Sequence, residues 1–226
     1  MNYFITGTDT GVGKTLVSCA LLHGFAAHGR SVAGMKPVAA GCDEGDQNED
    51  VARLRDAGNV LASKGQINPY CFAQAVAPHL AAQFTGIHVN FARIMESFSE
   101  LNAQCDMVIV EGVGGFRVPL NDFQDSADLA KELALPVLLV VGMRLGCLNH
   151  ALLTVEAITS RGLMLAGWVA NVLDANMPML NDNIAALRQR IRAPLLGVIP
   201  HLAKADARDA AAYLNFALLE QLEAYG

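Results

Sequence analysis

The chain has 226 residues, 53% of them apolar and 17% charged, against roughly 45–50% and 25% in an average soluble domain, which excludes disorder and a small stapled scaffold and favours one domain over residues 1–226. Sixteen Lys and Arg against 22 Asp and Glu leave a net charge of −6 with no basic run, so no nucleic-acid partner is expected. The apolar stretch around Leu133–Met143 is cut by Pro136 and Gly142 and falls short of the ~20 residues of a spanning helix; with no basic residue before Lys14, the reading is a soluble, cytoplasmic protein with no membrane partner.

Tyr3–Thr6 reads as the first strand, followed by a helix over Gly13–His28 with an apolar stripe at Leu16, Cys19, Ala20 and Phe25. A second strand, Ser31–Lys36, is stopped by Pro37. Past the acidic 43–50 segment come helices at Glu49–Ala62 and Val89–Gln104, then a strand at Met107–Glu111 and a helix at Ser126–Leu133. The strands Val137–Val141, Leu165–Asn171 and Leu195–Ile199 alternate with helices at Asn149–Arg161, Leu180–Ile191 and Asp209–Ala224. Runs such as Val-Leu-Leu-Val-Val are apolar without alternation, as in strands covered on both sides. The fold class is therefore α/β, a mostly parallel central sheet flanked by helices on both faces. Five cysteines, an odd number with no C-x-x-C pair, predict reduced thiols and no cysteine-based zinc site.

Gly7-Thr-Asp-Thr-Gly-Val-Gly-Lys14-Thr15 leaves the first strand and opens the first helix. Glycines turn backbone N–H groups inward, the helix N-terminus adds positive charge, Lys14 reaches terminal phosphates and the Thr15 hydroxyl suits Mg²⁺. This is a variant phosphate loop, because Thr8 stands where the common pattern has its first glycine.

Glu111 ends an apolar strand before Gly112–Gly115; an acid there needs a metal or water, or else caps the turn. Lys36 leaves the second strand either as a counter-charge or as a lysine snorkelling from an edge. Asp50 is a candidate metal ligand with Thr15 and Glu111, or a helix-dipole acid. Ends of parallel strands converge on one edge of an open sheet, so Gly7, Lys36, Glu111, Asn171 and Pro200 are expected to meet there. Asn171 offers an amide to a purine edge or caps a turn. Ala203-Lys-Ala-Asp206 lacks the first residue of a guanine-reading motif, which favours ATP. Gly142-Met-Arg-Leu-Gly146-Cys-Leu-Asn149-His150 is either a second anion site or an ordinary helix start. His79 and His150 have no partner spacing that makes a base–nucleophile pair.

The phosphate loop, Lys36-Pro-Val-Ala-Ala-Gly41, Asn68-Pro-Tyr70, Pro78-His79, Val110-Glu-Gly-Val-Gly-Gly115, Leu145-Gly-Cys-Leu-Asn-His150, Gly167-Trp-Val-Ala-Asn171 and Leu196-Gly-Val-Ile-Pro200 together resemble the dethiobiotin synthetase family, of P-loop NTPase architecture. The resemblance implies a homodimeric ligase of biotin biosynthesis, with Mg²⁺ as cofactor and ATP as co-substrate. It joins CO₂ to 7,8-diaminononanoate and closes a cyclic urea through a carbamate and the mixed anhydride that it forms with the γ-phosphoryl group.

By the same resemblance Lys14 and Lys36 are catalytic, and Thr15, Asp50 and Glu111 hold the metal. The nucleotide contacts Thr10, Gly11, Val12, Gly13, Lys14 and Thr15, then Asp50, Glu111, Gly112, Val113 and Gly114, with Asn171, Val172, Pro200, His201 and Leu202 around the base. The diamine's pocket includes Ala40, with Cys147, Leu148 and Asn149 supplied across a dimer interface; Asn68–Tyr70 and Pro78–His79 form dimer or substrate wall. Ala40 stands where members often carry a serine, Gly11 replaces a glutamate of some members, and His201 sits where an aromatic can flank the base; the loop before Asp50 varies in length in the family, which makes Asp46 and Glu49 alternatives to it. The rival is a partition- or division-type ATPase switch, which usually carries a lysine where this chain has Asp9.

Overall fold

A computed structural model describes residues 1–43 and 48–224, which leaves Asp46 outside the described residues. The chain runs β1 (Tyr3–Gly7), α1 (Lys14–Ala27), β2 (Val32–Met35), β3 (Val38–Ala40), α2 (Glu49–Ala57), α3 (Lys64–Ile67), β4 (Tyr70–Phe72), α4 (Pro78–Thr85) and α5 (Phe91–Asn102). It continues through β5 (Met107–Glu111), α6 (Ser126–Leu133), β6 (Val137–Met143), α7 (Cys147–Ser160), β7 (Leu165–Val172), α8 (Leu180–Arg190), β8 (Leu195–Ile199), α9 (Ala207–Ala211) and α10 (Phe216–Ala224).

Six strands form one sheet in the order β2-β5-β1-β6-β7-β8, and every neighbouring pair is parallel. Successive residues of each strand point to opposite faces, and both faces are dry. Tyr3, Ile5, Met107 and Ile109 pack under α1 with Leu214 and Leu219. Phe4, Val108 and Val110 pack on the other face with Ile94, Leu101 and Leu129, while β6 and β7 bury Leu139, Val141 and Trp168 against α7 and α8. That two-sided burial is why the strands read as unbroken apolar runs.

Several boundaries depart from expectation for local reasons. The helix expected to reach Ala62 ends at Ala57: Asn59 Oδ1 accepts from Val32 N–H at 2.7 Å, and its amide donates to the Arg30 carbonyl, pinning the chain to β2. The final helix is split into α9 and α10 because residues 213–215 are drawn onto β8. Leu214 bridges Gly197, and a Cβ on Gly197 would lie 2.1 Å from the Tyr213 carbonyl oxygen, so the approach needs a glycine. Helix α10 then returns to α1, with Phe216 and Phe25 edge to face at 5.2 Å.

The second, two-stranded sheet of β3 and β4 was not expected, each strand being three residues long. Its parallel register sets Ala39 opposite Cys71. This corrects the reading of five reduced thiols: Cys42 and Cys71 form a disulfide across 29 residues, while Cys19, Cys105 and Cys147 stay free. A pairing made by tertiary register leaves no spacing signal. Among the described residues no helix is long and apolar enough to cross a membrane.

Candidate active site

The phosphate loop leaves the C-terminal end of β1, a central strand held by β5 on one side and β6 on the other. The Thr8 N–H donates to the Val140 carbonyl, so the loop starts from a fixed edge. Gly13 precedes α1 with φ +93°, a left-handed conformation, and a Cβ there would lie 2.2 Å from the Asn171 amide nitrogen. That amide donates to the Val12 carbonyl at 2.9 Å. Asn171, at the end of β7, thus braces the loop from below, a role its sequence position did not reveal.

Lys36 lies one residue past β2, an edge strand, yet it is 5% exposed, so the snorkelling alternative is excluded. Its ammonium donates to Asp50 and, at 2.8 Å, to Glu111 Oε1. Burial pushes the Lys36 pKa down, but the two carboxylates outweigh it and hold the ammonium above the ordinary lysine value. Burial likewise raises Asp50, and the Lys36 charge and its hydrogen bond bring that carboxyl below the usual range.

Glu111 is fully buried at the end of β5. Its Oε1 also accepts from the Thr15 hydroxyl at 2.9 Å, while Oε2 is buried without a partner. A buried carboxylate oxygen left unpaired costs several kcal/mol, about what a cation or water beside it removes. Asp50 reaches the cluster because Asn48 caps α2, accepting from the Asp50 and Val51 N–H groups, and donates to the Ala40 carbonyl. Glu49, by contrast, is 87% exposed and 3.9 Å from Arg53, so it is Asp50 and not Glu49 that the fold brings to Lys36.

These groups open into a cavity of about 850 Å³. It is lined on the phosphate-loop side by Thr10, Gly11, Gly13, Lys14 and Thr15, and opposite by Lys36, Ala40, Asp50, Glu111, Val113 and Gly114. Asn171 reaches its floor. Val12, Gly112 and Val172 are buried and do not line it. Pro200, His201 and Leu202 follow β8 on the same sheet edge but do not line it. Cys147, Leu148 and Asn149 also stand outside, at the start of α7.

The sequence reading missed Asn48, Arg53, Ala75–Ala77 and Ala205, all part of the wall. Asn48 and Arg53 had a signal, a cap followed by an acid and a base three residues apart on one helical face; Ala75–Ala77 and Ala205 had none. Also unforeseen is the ion pair of Arg144 with Asp9, which ties the phosphate loop to the turn before α7. Lys14 Nζ meanwhile donates to the Asp9 carbonyl at 3.1 Å. Burial pushes the Lys14 pKa below the ordinary lysine value, and the neighbouring Lys36 charge adds to this against the pull of Glu111.

Solved structures share the architecture. The MinC:MinD cell division complex of Aquifex aeolicus aligns with TM-score 0.60 at 13% identity, covering 99% of this chain and 96% of that one. A putative plasmid partition protein from Borrelia burgdorferi, bound to AMPPNP, aligns with TM-score 0.58 at 11% identity over 100% and 98%. Such identities speak for the fold alone. An AAA domain family model matches residues 1–209. The ATP-dependent dethiobiotin synthetase BioD of Aromatoleum aromaticum is 58% identical over 94% of this chain and 96% of its own. The protein of the same name from Nitrosospira multiformis is 53% identical over 95% of each. With relatives this similar along almost the whole length, on a sheet whose central strand delivers a phosphate loop to paired lysines and carboxylates, the chain belongs to the family of ATP-dependent dethiobiotin synthetases.

Proposed function

We propose that this protein is a ligase of biotin biosynthesis that carboxylates 7,8-diaminononanoate with CO₂ and closes the cyclic urea of dethiobiotin, converting ATP to ADP and phosphate. The observation that carries the reading is the meeting of Lys14, Lys36, Asp50, Glu111 and Thr15 in one cavity, in a chain 58% identical to a named dethiobiotin synthetase.

The chemistry asks for charge balance rather than a covalent nucleophile. A carbamate on one amine attacks the γ-phosphoryl group and ADP leaves; the second amine then attacks the carbonyl carbon of the resulting carbamic–phosphoric anhydride and phosphate leaves. Lys14, from the phosphate loop, and Lys36, from β2, flank the place where negative charge gathers, so their work is positioning and electrostatic stabilisation. Thr15, Asp50 and Glu111 fit Mg²⁺, which takes one or two carboxylates and completes its shell with water and phosphate. The orphaned Glu111 Oε2 supports that fit. Bound there, the ion neutralises charge on the phosphate tail.

The adenine is placed against Asn171, Val172 and Pro200–Leu202: with its amide nitrogen committed to Val12, Asn171 keeps its oxygen as an acceptor for an exocyclic amine. The carboxylate of the diamine is assigned to the α7 start, Cys147–Asn149, of a second copy. Leu145, 98% exposed, and Leu153, 57% exposed, flank that turn and favour a homodimer contact. We place the protein in the cytoplasm.

ADP should form only when diamine and bicarbonate are supplied together, with a cyclic urea identified by mass spectrometry. Turnover that ignores the diamine and responds to DNA or a protein surface would replace this reading with the ATPase switch.

Lys14 gives a second test. Its lowered pKa means that just below the ordinary lysine value of 10.5 part of the free protein carries a neutral Lys14, and a phosphate tail restores the charge. MgADP binding in that pH range is therefore expected to take up protons, seen as a dependence of the calorimetric heat on buffer ionisation enthalpy. Proton release, or no buffer dependence, would contradict the arrangement.

A further inference from the structure

Arg53 belongs to α2 but also reaches beyond it. Its guanidinium donates to the Ala205 carbonyl at 3.2 Å, a contact across 152 residues. Its side chain is only 35% exposed and lies 3.9 Å from Glu49. It sits three residues after Asp50, on the same helical face, and its charge helps hold the Asp50 carboxyl low.

The segment it grips is anchored at both ends. Leu202 packs on the core beneath α1, and Asp206 caps α9 by accepting from the Arg208 N–H at 2.7 Å. Between these anchors, the Arg53 guanidinium holds the Ala205 carbonyl from the opposite wall. Arg53 and Ala205 are also shared by two cavities, the central one of about 850 Å³ and a neighbour of about 380 Å³. The pair is the partition between them.

We infer that Arg53 is a nucleotide-positioning residue, a latch that joins the helix carrying Asp50 to the segment facing the base, so that a purine nucleoside phosphate meets a closed wall beyond its phosphate tail. The inference rests on the proposed placement of the base beside Pro200–Leu202, where that segment begins. Lys14 and Lys36 stand at the phosphate end and do not depend on the latch. Losing it should therefore weaken ligands that carry a base and ribose and spare those that are only phosphate.

The experiment compares MgADP with magnesium pyrophosphate by calorimetry on the full chain, in the wild type, Arg53→Met and Arg53→Lys. Arg53→Met keeps the apolar stem and removes the donors, so MgADP should bind about tenfold more weakly while pyrophosphate stays within about twofold. Arg53→Lys, which retains one donor, should recover part of the loss. In the diamine-dependent assay the KM for ATP should rise with kcat held within about twofold. Equal weakening of both ligands would make Arg53 a phosphate contact, and no weakening would leave it a surface tie; either overturns the latch. If Arg53→Met is recovered unfolded, Arg53→Gln carries the same comparison. Wild-type protein that binds MgADP but forms no ADP with the diamine would defeat the proposed reaction, while the binding ratio would still decide the latch.

Discussion

Lys36→Met is expected to lower the diamine-dependent turnover by about 10²–10³-fold while MgADP affinity changes by only a few fold. The asymmetry follows from where the ammonium sits. In the proposed reaction Lys14 meets the phosphate tail through the loop that opens α1, whereas Lys36, one residue past β2, is held by Asp50 and Glu111 and would face charge that grows during phosphoryl transfer. Methionine keeps the length of the stem. It also strands Glu111, fully buried, and removing one partner of a buried pair costs about 3–5 kcal/mol. The variant should therefore melt lower without ligand and regain part of the difference with MgADP.

Neutral pH should not modulate this pair. Lys36, with a raised pKa, contributes stability that is complete below 10.5 and fades only as pH climbs through its higher folded value. Asp50, with a lowered pKa, contributes stability present above 3.8 and lost only as pH falls through its lower folded value. The loss of turnover should thus be much the same across the neutral range. If Lys36→Met kept its kcat and lost only nucleotide affinity, the lysine would be a binding group and the assignment would fall.

How much of this was written in the residues depends on the range of the interactions. Glycines and the Lys14–Thr15 pair act within one turn, so the phosphate loop could be read directly. Strands covered on both faces betray themselves by continuous apolarity, which located all six strands of the main sheet to within two residues. Parallel order then places Lys36, Glu111 and Asn171 on one edge from the residues alone. The illegible part consists of contacts without periodicity. The β3–β4 register that joins Cys42 to Cys71, the Arg144–Asp9 pair and the Arg53 hold on Ala205 each link segments at least 29 residues apart. Asn171 shows both sides of this: its strand-end position was readable, but its donation to Val12 depends on how closely Gly13 lets it approach.

Glu111→Gln is expected to raise the Mg²⁺ concentration for half-maximal ADP formation by about 10–100-fold, with the fold intact. Oε1 is already engaged by Thr15 and Lys36, so the proposed contact with the ion falls to Oε2, which is buried and without a partner. Among the described residues no three His, Cys, Asp or Glu side chains are grouped to hold a metal by themselves; two carboxylates and a hydroxyl leave the remaining positions to water and phosphate, as Mg²⁺ prefers. Glutamine preserves the shape and one acceptor, and it removes the charge while presenting N–H donors where a cation is to sit. Saturating Mg²⁺ should restore part of the turnover, which a defect in folding or in the loop would not allow. Calorimetry separates the contributions: ADP alone should bind the variant as it binds the wild type, and the gain on adding Mg²⁺ should shrink. An unchanged Mg²⁺ requirement, with ADP affinity lost instead, would show that Glu111 supports the phosphate loop through Thr15 and does not attend the ion.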